Sequence, residues 1–164
     1  MNSDFILRAA LIGIGATAVM DLWALLLRRV FAIPSLDYGW VGRWLLNFRQ
    51  GRFAHENIAK SVPVSGETVV GWAAHYAIGI VFAALLLALW GSSWAQNPTP
   101  LPALIVGVVT VVVPFLVMQP AFGFGIAASR TPKPAVARQR SLMAHFSFGV
   151  GLYLSALMAA AVWA

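Results

Sequence analysis

Gly71-Trp-Ala-Ala-His75-Tyr-Ala-Ile-Gly79-Ile-Val-Phe-Ala83-Ala-Leu-Leu-Leu-Ala-Leu-Trp90 contains no Asp, Glu, Lys or Arg. A helix needs about 20 mostly apolar residues to cross the hydrocarbon core of a bilayer, so this stretch reads as a membrane span, extended to 66–90. Three further runs meet the same length, at 5–27, 101–127 and 142–163. The predicted fold is all-α: an integral four-helix transmembrane bundle, forming one transmembrane domain over 1–164. Composition agrees, because 60% of the chain is apolar and only 10% charged, outside the range of soluble domains. Cysteine is absent, which excludes disulfides, thiolate ligands and a cysteine nucleophile.

The charges orient the spans. The net charge is +6, and ten of the eleven Lys and Arg residues fall in two alternate connections, 28–65 and 128–141. The positive-inside rule puts both in the cytoplasm and both termini outside, an N-out/C-out topology in a bacterial inner membrane. Orientation and anionic lipid headgroups at the cytoplasmic face account for this charge, so nucleic acid is not an expected partner. Trp90, Trp94 and Trp163 fall at the expected outer boundary, where amphipathic rings prefer to sit. The first run exceeds the length of a signal-peptide core, and its Arg28 and Arg29 follow it, so it reads as a retained span.

In the first connection, Trp40, Val41, Trp44, Leu45 and Phe48 recur on one helical face with Arg43, Asn47 and Arg49 between them. Beside a membrane this predicts a short interfacial helix, with a cap over the cytoplasmic ends of the spans as the alternative. His55 and Glu56 adjoin one another in the same connection without a nucleophile or metal motif, and read as a solvated pair. An internal repeat is also visible. Ala74-His75-Tyr76-Ala-Ile-Gly79-Ile80 matches Ala144-His145-Phe146-Ser-Phe-Gly149-Val150, and Leu11-Ile12-Gly13 with Thr17 loosely matches Leu104-Ile105 with Gly107 and Thr110. Two pseudo-repeated helical hairpins of like orientation would produce this pattern.

Within the spans the notable polar residues are Asp21, His75, Gln119 and His145. Gly13, Thr17 and Asp21 share one helical face, as do Gly71, His75, Gly79 and Ala83, and Ser141, His145 and Gly149. Small residues at that spacing let helices approach closely, so these polar side chains are expected to point inward, away from lipid. One reading is a packing device in which Asp21 bonds a histidine or Thr17. A second is a proton or ion relay through Asp21, His75 and His145. A third is a cofactor site, with His75 and His145 as axial ligands of haem iron or sharing a transition metal with Asp21. Pro114 and Pro120, followed by Gly123 and Gly125, predict a break in the third span near Gln119, of the kind transporters use. Gly123-Phe-Gly-Ile-Ala has neither the preceding strand nor the following helix of a dinucleotide site.

Several segments together resemble a family of small bacterial inner-membrane proteins catalogued as a domain of unknown function, DUF2938-like. They are Gly13-x-Gly-Ala-Thr-x-x-Met-Asp21-Leu-Trp23, Ile33-Pro-Ser35, Val41-Gly-Arg-Trp44, Gly51-Arg-Phe53, Gly71-Trp-x-x-His75-Tyr-x-x-Gly79, Met118-Gln-Pro120 and Ser129-Arg-Thr-Pro132. The resemblance implies the four-helix architecture and carries over no catalytic residue. The expected function is non-enzymatic: small-solute or ion movement, or service as an accessory subunit, through a polar cluster of Asp21, His75, His145, Gln119 and Thr17. A haem- or metal-binding membrane protein and a purely structural assembly protein are the alternatives. The bilayer is the expected partner, with a homo-oligomer or larger membrane complex open.

Overall fold

The computed structural model describes residues 3–162. Its helices are α1 (Ser3–Phe31), α2 (Tyr38–Asn47), α3 (Glu67–Gln96), α4 (Pro100–Val109), α5 (Gln119–Ala121) and α6 (Pro134–Val162), and no strand occurs among the described residues. Four helical stretches are long and apolar enough to cross a membrane: Ser3–Phe31, Glu67–Gln96, Pro100–Ala121 and Pro134–Val162. In their most apolar windows only 22–39% of residues are buried within the protein. The remaining faces expose Leu22, Val81, Leu89, Val109 and Met158, each at least 60% accessible. Apolar surface on all four long helices has hydrocarbon as its natural solvent.

The helix ends differ from the hydropathy boundaries for local reasons. α1 continues through Arg28 and Arg29 in its last turn, where cations complement the helix dipole. α6 begins at Pro134, eight residues before the apolar run, because a proline fits the first turn and the basic residues that follow are good helix formers. α3 carries on to Gln96 past a break at Gly91 (φ 78°, ψ 178°), so the polar connection expected there is half helical. The third span stops being helical at Ala121 and not at 127: Gly123 and Gly125 both take positive φ and turn the chain.

The chain folds as two compact units. Unit 1 holds the described residues up to Ser35, Tyr76–Thr110 and the described residues from Met143 onward. Its core is Ile12, Ala16, Ala83, Leu86, Leu87, Val106, Phe148 and Leu152, with smaller neighbours. Small residues set the helix crossings. A Cβ on Gly13 would lie 2.5 Å from Ile80 Cα and 2.8 Å from Gly79 O, and one on Gly151 would lie 2.7 Å from Ala16 O. Gly107 meets Gly149 in the same way. The residues aligned by the sequence repeat therefore do the same job: Gly13 against Gly79, and Gly107 against Gly149. Thr17 and Thr110 extend the parallel, each donating its hydroxyl to the carbonyl of its own hairpin's glycine, at 2.8 Å and 2.7 Å. Trp94 is buried in this core, its Nε1 donating to Thr99 O at 3.2 Å. Trp163 lies outside the described residues.

Unit 2 holds Leu36–His75 and Val111–Leu142. α2 forms as the sequence predicts, capped by Asp37, whose carboxylate accepts from Gly39 N at 2.8 Å. It crosses the start of α3 at Gly42 and Gly71, where any side chain would strike backbone. Its aromatic stripe is engaged by protein: Trp44 meets Phe122 edge-on at 5.9 Å, and Trp40 meets Phe124 at 6.0 Å. Phe122, fully buried, centres this core with Val41 and Ile58.

Candidate functional site

The third span loses its regular hydrogen bonding where its prolines lie. Pro114 and Pro120 have no N–H, so the carbonyls four residues earlier lose their usual partners. Between them Pro114–Met118 winds as a π-helix, with Gln119 N donating to Pro114 O. The three-residue α5 follows, and Phe124 N reaches back to Gln119 O at 2.9 Å. Beyond it, Ala127 and Ala128 both take positive φ, a strained conformation for a residue with a Cβ. Arg138 Nε donates to Ala127 O at 2.8 Å and Arg130 N to Phe124 O at 2.8 Å, which hold the turn. The break expected from sequence is real, and its form is a π segment leading into a strained turn.

Gln119 sits at this break and is 7% exposed. Its Nε2 lies 3.2 Å from Ser141 Oγ, while Oε1 is buried without a partner among the described residues. Turning the amide over would exchange the two atoms and still leave one of them unsatisfied, at a cost of about 1–3 kcal/mol. Ser141 was expected on a helix face with His145, but its role as the amide's partner had no signal in the sequence.

In unit 1 the intramembrane polar residues find partners on neighbouring helices. The Tyr76 hydroxyl donates to Asp21 Oδ2 at 3.1 Å. His145 Nδ1 lies 3.1 Å from Thr110 Oγ1 and 3.2 Å from Gly107 O. Tyr76 is thus a partner of Asp21 that the helical spacing did not suggest, and Thr17 bonds within its own helix. The signal for Tyr76 was its hydroxyl, the feature that separates it from Phe146 in the repeat. His75 belongs to unit 2, where its ring stacks on Tyr38 with centroids 4.0 Å apart, and Trp72 meets it edge-on at 5.8 Å. Among the described residues no three His, Cys, Asp or Glu side chains group closely enough to hold a metal ion.

A family model described as "Protein of unknown function (DUF2938)" matches residues 10–159. The chain belongs to the DUF2938 family. No curated protein and no solved structure matches it. The matched region of this DUF2938 protein spans both the polar pairs and the broken third span. Several motif glycines have a physical reason in the structure: Gly42 and Gly71 let α2 cross α3, while Gly13 and Gly79 form the crossing of α1 with α3.

The connection from α2 to α3 in the DUF2938 chain is built around Arg43. Arg43 is 6% exposed, and its guanidinium forms a two-pronged pair with Glu67, Nε to Oε2 at 2.8 Å and Nη2 to Oε1 at 2.7 Å. Its Nη1 donates to Ile58 O at 2.9 Å and Ser61 O at 2.8 Å. Sequence periodicity placed Arg43 among the polar residues of an interfacial helix, and nothing in that pattern revealed a partner 24 positions away. Nor is His55 the solvated residue expected. It is 8% exposed, because its backbone N donates to Ala121 O at 2.7 Å and draws the loop onto the end of the third span. Gly123 completes the fit, since a Cβ there would collide with Glu56 O.

Proposed function

We propose that this DUF2938 protein moves a small polar solute or ion across the membrane, alone or as a subunit of a larger membrane assembly, and is not an enzyme. The observation that carries this reading is Gln119: a buried amide with an unsatisfied atom, at a span whose backbone changes from α to π. Irregular backbone at membrane depth is tolerated where protein buries it or where it lines a polar path, and π segments occur frequently at functional sites. Asp21 with Tyr76, and His145 with Thr110, are further polar groups carried within spans. The same reading puts the protein in a bacterial cytoplasmic membrane with the connections 28–65 and 128–141 inside, supported by their ten basic residues.

The test is reconstitution into liposomes, with dye-reported proton flux, potassium flux and urea-driven swelling measured against empty vesicles. One of these is expected to exceed the empty-vesicle rate and to fall in Gln119→Leu while the variant stays folded. Background rates for all three would reject movement by the chain alone. Unchanged flux in Gln119→Leu would reject the amide as part of the path.

A further inference from the structure

The first connection contains a second polar feature, separate from the spans. A cavity of about 520 Å³ is lined by Arg52, Ala54, His55, Glu56, Asn57, Lys60 and Ser61. Arg52 and Lys60 are exposed and make no side-chain hydrogen bond or ion pair among the described residues. His55 is the opposite case, with both ring nitrogens buried and without a partner among the described residues. The loop that carries them is fixed from several sides. Trp44 Nε1 donates to Phe53 O at 2.8 Å, His55 N to Ala121 O at 2.7 Å, and Asn57 Oδ1 accepts from Ala59 N at 3.0 Å. Arg43 cannot serve as a ligand group here, because Glu67 and two carbonyls occupy it, but those bonds hold Ile58 and Ser61 in place.

We propose that this cavity binds a phosphate-type anion, free or as a lipid headgroup, through Arg52 and Lys60 with His55 beside it. Two cations without acidic partners offer charge-assisted hydrogen bonds, and the pinned loop leaves only their side chains to be ordered on binding. Glu56 is the one carboxylate among the lining residues, so the two cations outnumber it.

Binding has a proton signature. Burial, then Arg52, then Arg43 lower the pKa of His55 below its ordinary 6.5 and keep the imidazole neutral near pH 7. An anion on Arg52 and Lys60 offsets the nearby positive charge and favours the imidazolium. The other charged groups around His55 are Glu56, and Arg43 already neutralised by Glu67. Affinity for an anion of constant charge therefore rises as pH falls. Neither the site nor its test depends on solute movement through the spans.

The experiment uses the full chain in neutral detergent, titrated with inorganic phosphate at constant ionic strength, and in nanodiscs of phosphatidylcholine with or without phosphatidylglycerol. Phosphate is expected to raise the melting temperature, with binding about tenfold weaker in Arg52→Gln/Lys60→Gln and unchanged in Arg49→Gln, a basic neighbour outside the cavity. Affinity for sulfate, an anion whose charge does not change over this range, should rise from about pH 7.5 to about pH 5.5, and His55→Asn should flatten that slope. Should His55→Asn fail to fold, the paired charge variant decides alone. A phosphate response identifies a free anion as the ligand. A response to phosphatidylglycerol only, lost in the paired variant, identifies a headgroup. No response to either, or the same response in the paired variant, overturns the site.

Discussion

Gly107 and Gly149 touch backbone to backbone, so closely that a Cβ on Gly107 would lie 2.6 Å from Gly149 N and 2.9 Å from His145 O. Gly13 and Gly79 stand in the same relation in the other half of the sequence repeat. In hydrocarbon, association of helices rests on packing and hydrogen bonds, so the loss of close approach is felt directly. Gly107→Val and Gly79→Val are each expected to lower stability by at least about 1–3 kcal/mol, the usual cost of overpacking. Melting in detergent checks this. A shift below about 1 °C in both variants, under the several degrees that such a loss produces, would mean that these crossings are not where unit 1 gets its order.

Arg43 and Glu67 make a second prediction. Their side chains are 7% and 16% exposed, so removing one leaves the other charge with little water. Arg43→Met should destabilise the protein by about 3–5 kcal/mol, because it also orphans the carbonyls of Ile58 and Ser61. Arg43→Met/Glu67→Met should recover part of that loss by removing the stranded carboxylate. Chemical denaturation of the single and double variants in one detergent measures both, and additive losses would refute the coupling.

The folded-state pKa of His55 lies below its unfolded value of about 6.5, with the buried ring as the main cause. The unfolded chain thus binds the proton more readily. His55's contribution to stability is fully present above about pH 6.5 and is lost as pH falls toward the folded pKa. The melting temperature, in phosphate-free buffer, should decline on acidification through that window. His55→Phe, which cannot protonate, should reduce the decline, and an identical pH profile would show that other groups set it.

Tyr76→Phe removes the donor to Asp21 and should cost about 0.6–1.7 kcal/mol, the range of interhelical hydrogen bonds within membranes. Asp21→Asn keeps a hydrogen-bonding side chain but removes the charge. If Asp21 serves the proposed movement of an ion, flux in liposomes falls in Asp21→Asn with melting close to wild type. A thermal defect with normal flux assigns the pair to packing alone.

The four spans were legible because a bilayer imposes a local rule: about 20 apolar residues in sequence, whatever their neighbours do. The glycine faces were legible for a related reason, since helical periodicity assigns residues four apart to one side. The break at Pro114 and Pro120 also followed from local chemistry, as a missing N–H affects its own turn.

What sequence periodicity could not supply was the partner across a gap in the chain. The bond from Tyr76 to Asp21 joins residues 55 apart, and that from Arg43 to Glu67 joins residues 24 apart. His55 looked like a loop residue, and only the docking of its backbone on Ala121 buried it. The sequence by itself determined which segments enter hydrocarbon and which faces pack closely. Tertiary structure decided which polar groups meet and which remain unsatisfied, because those outcomes depend on the approach of distant segments and not on the spacing within any one of them.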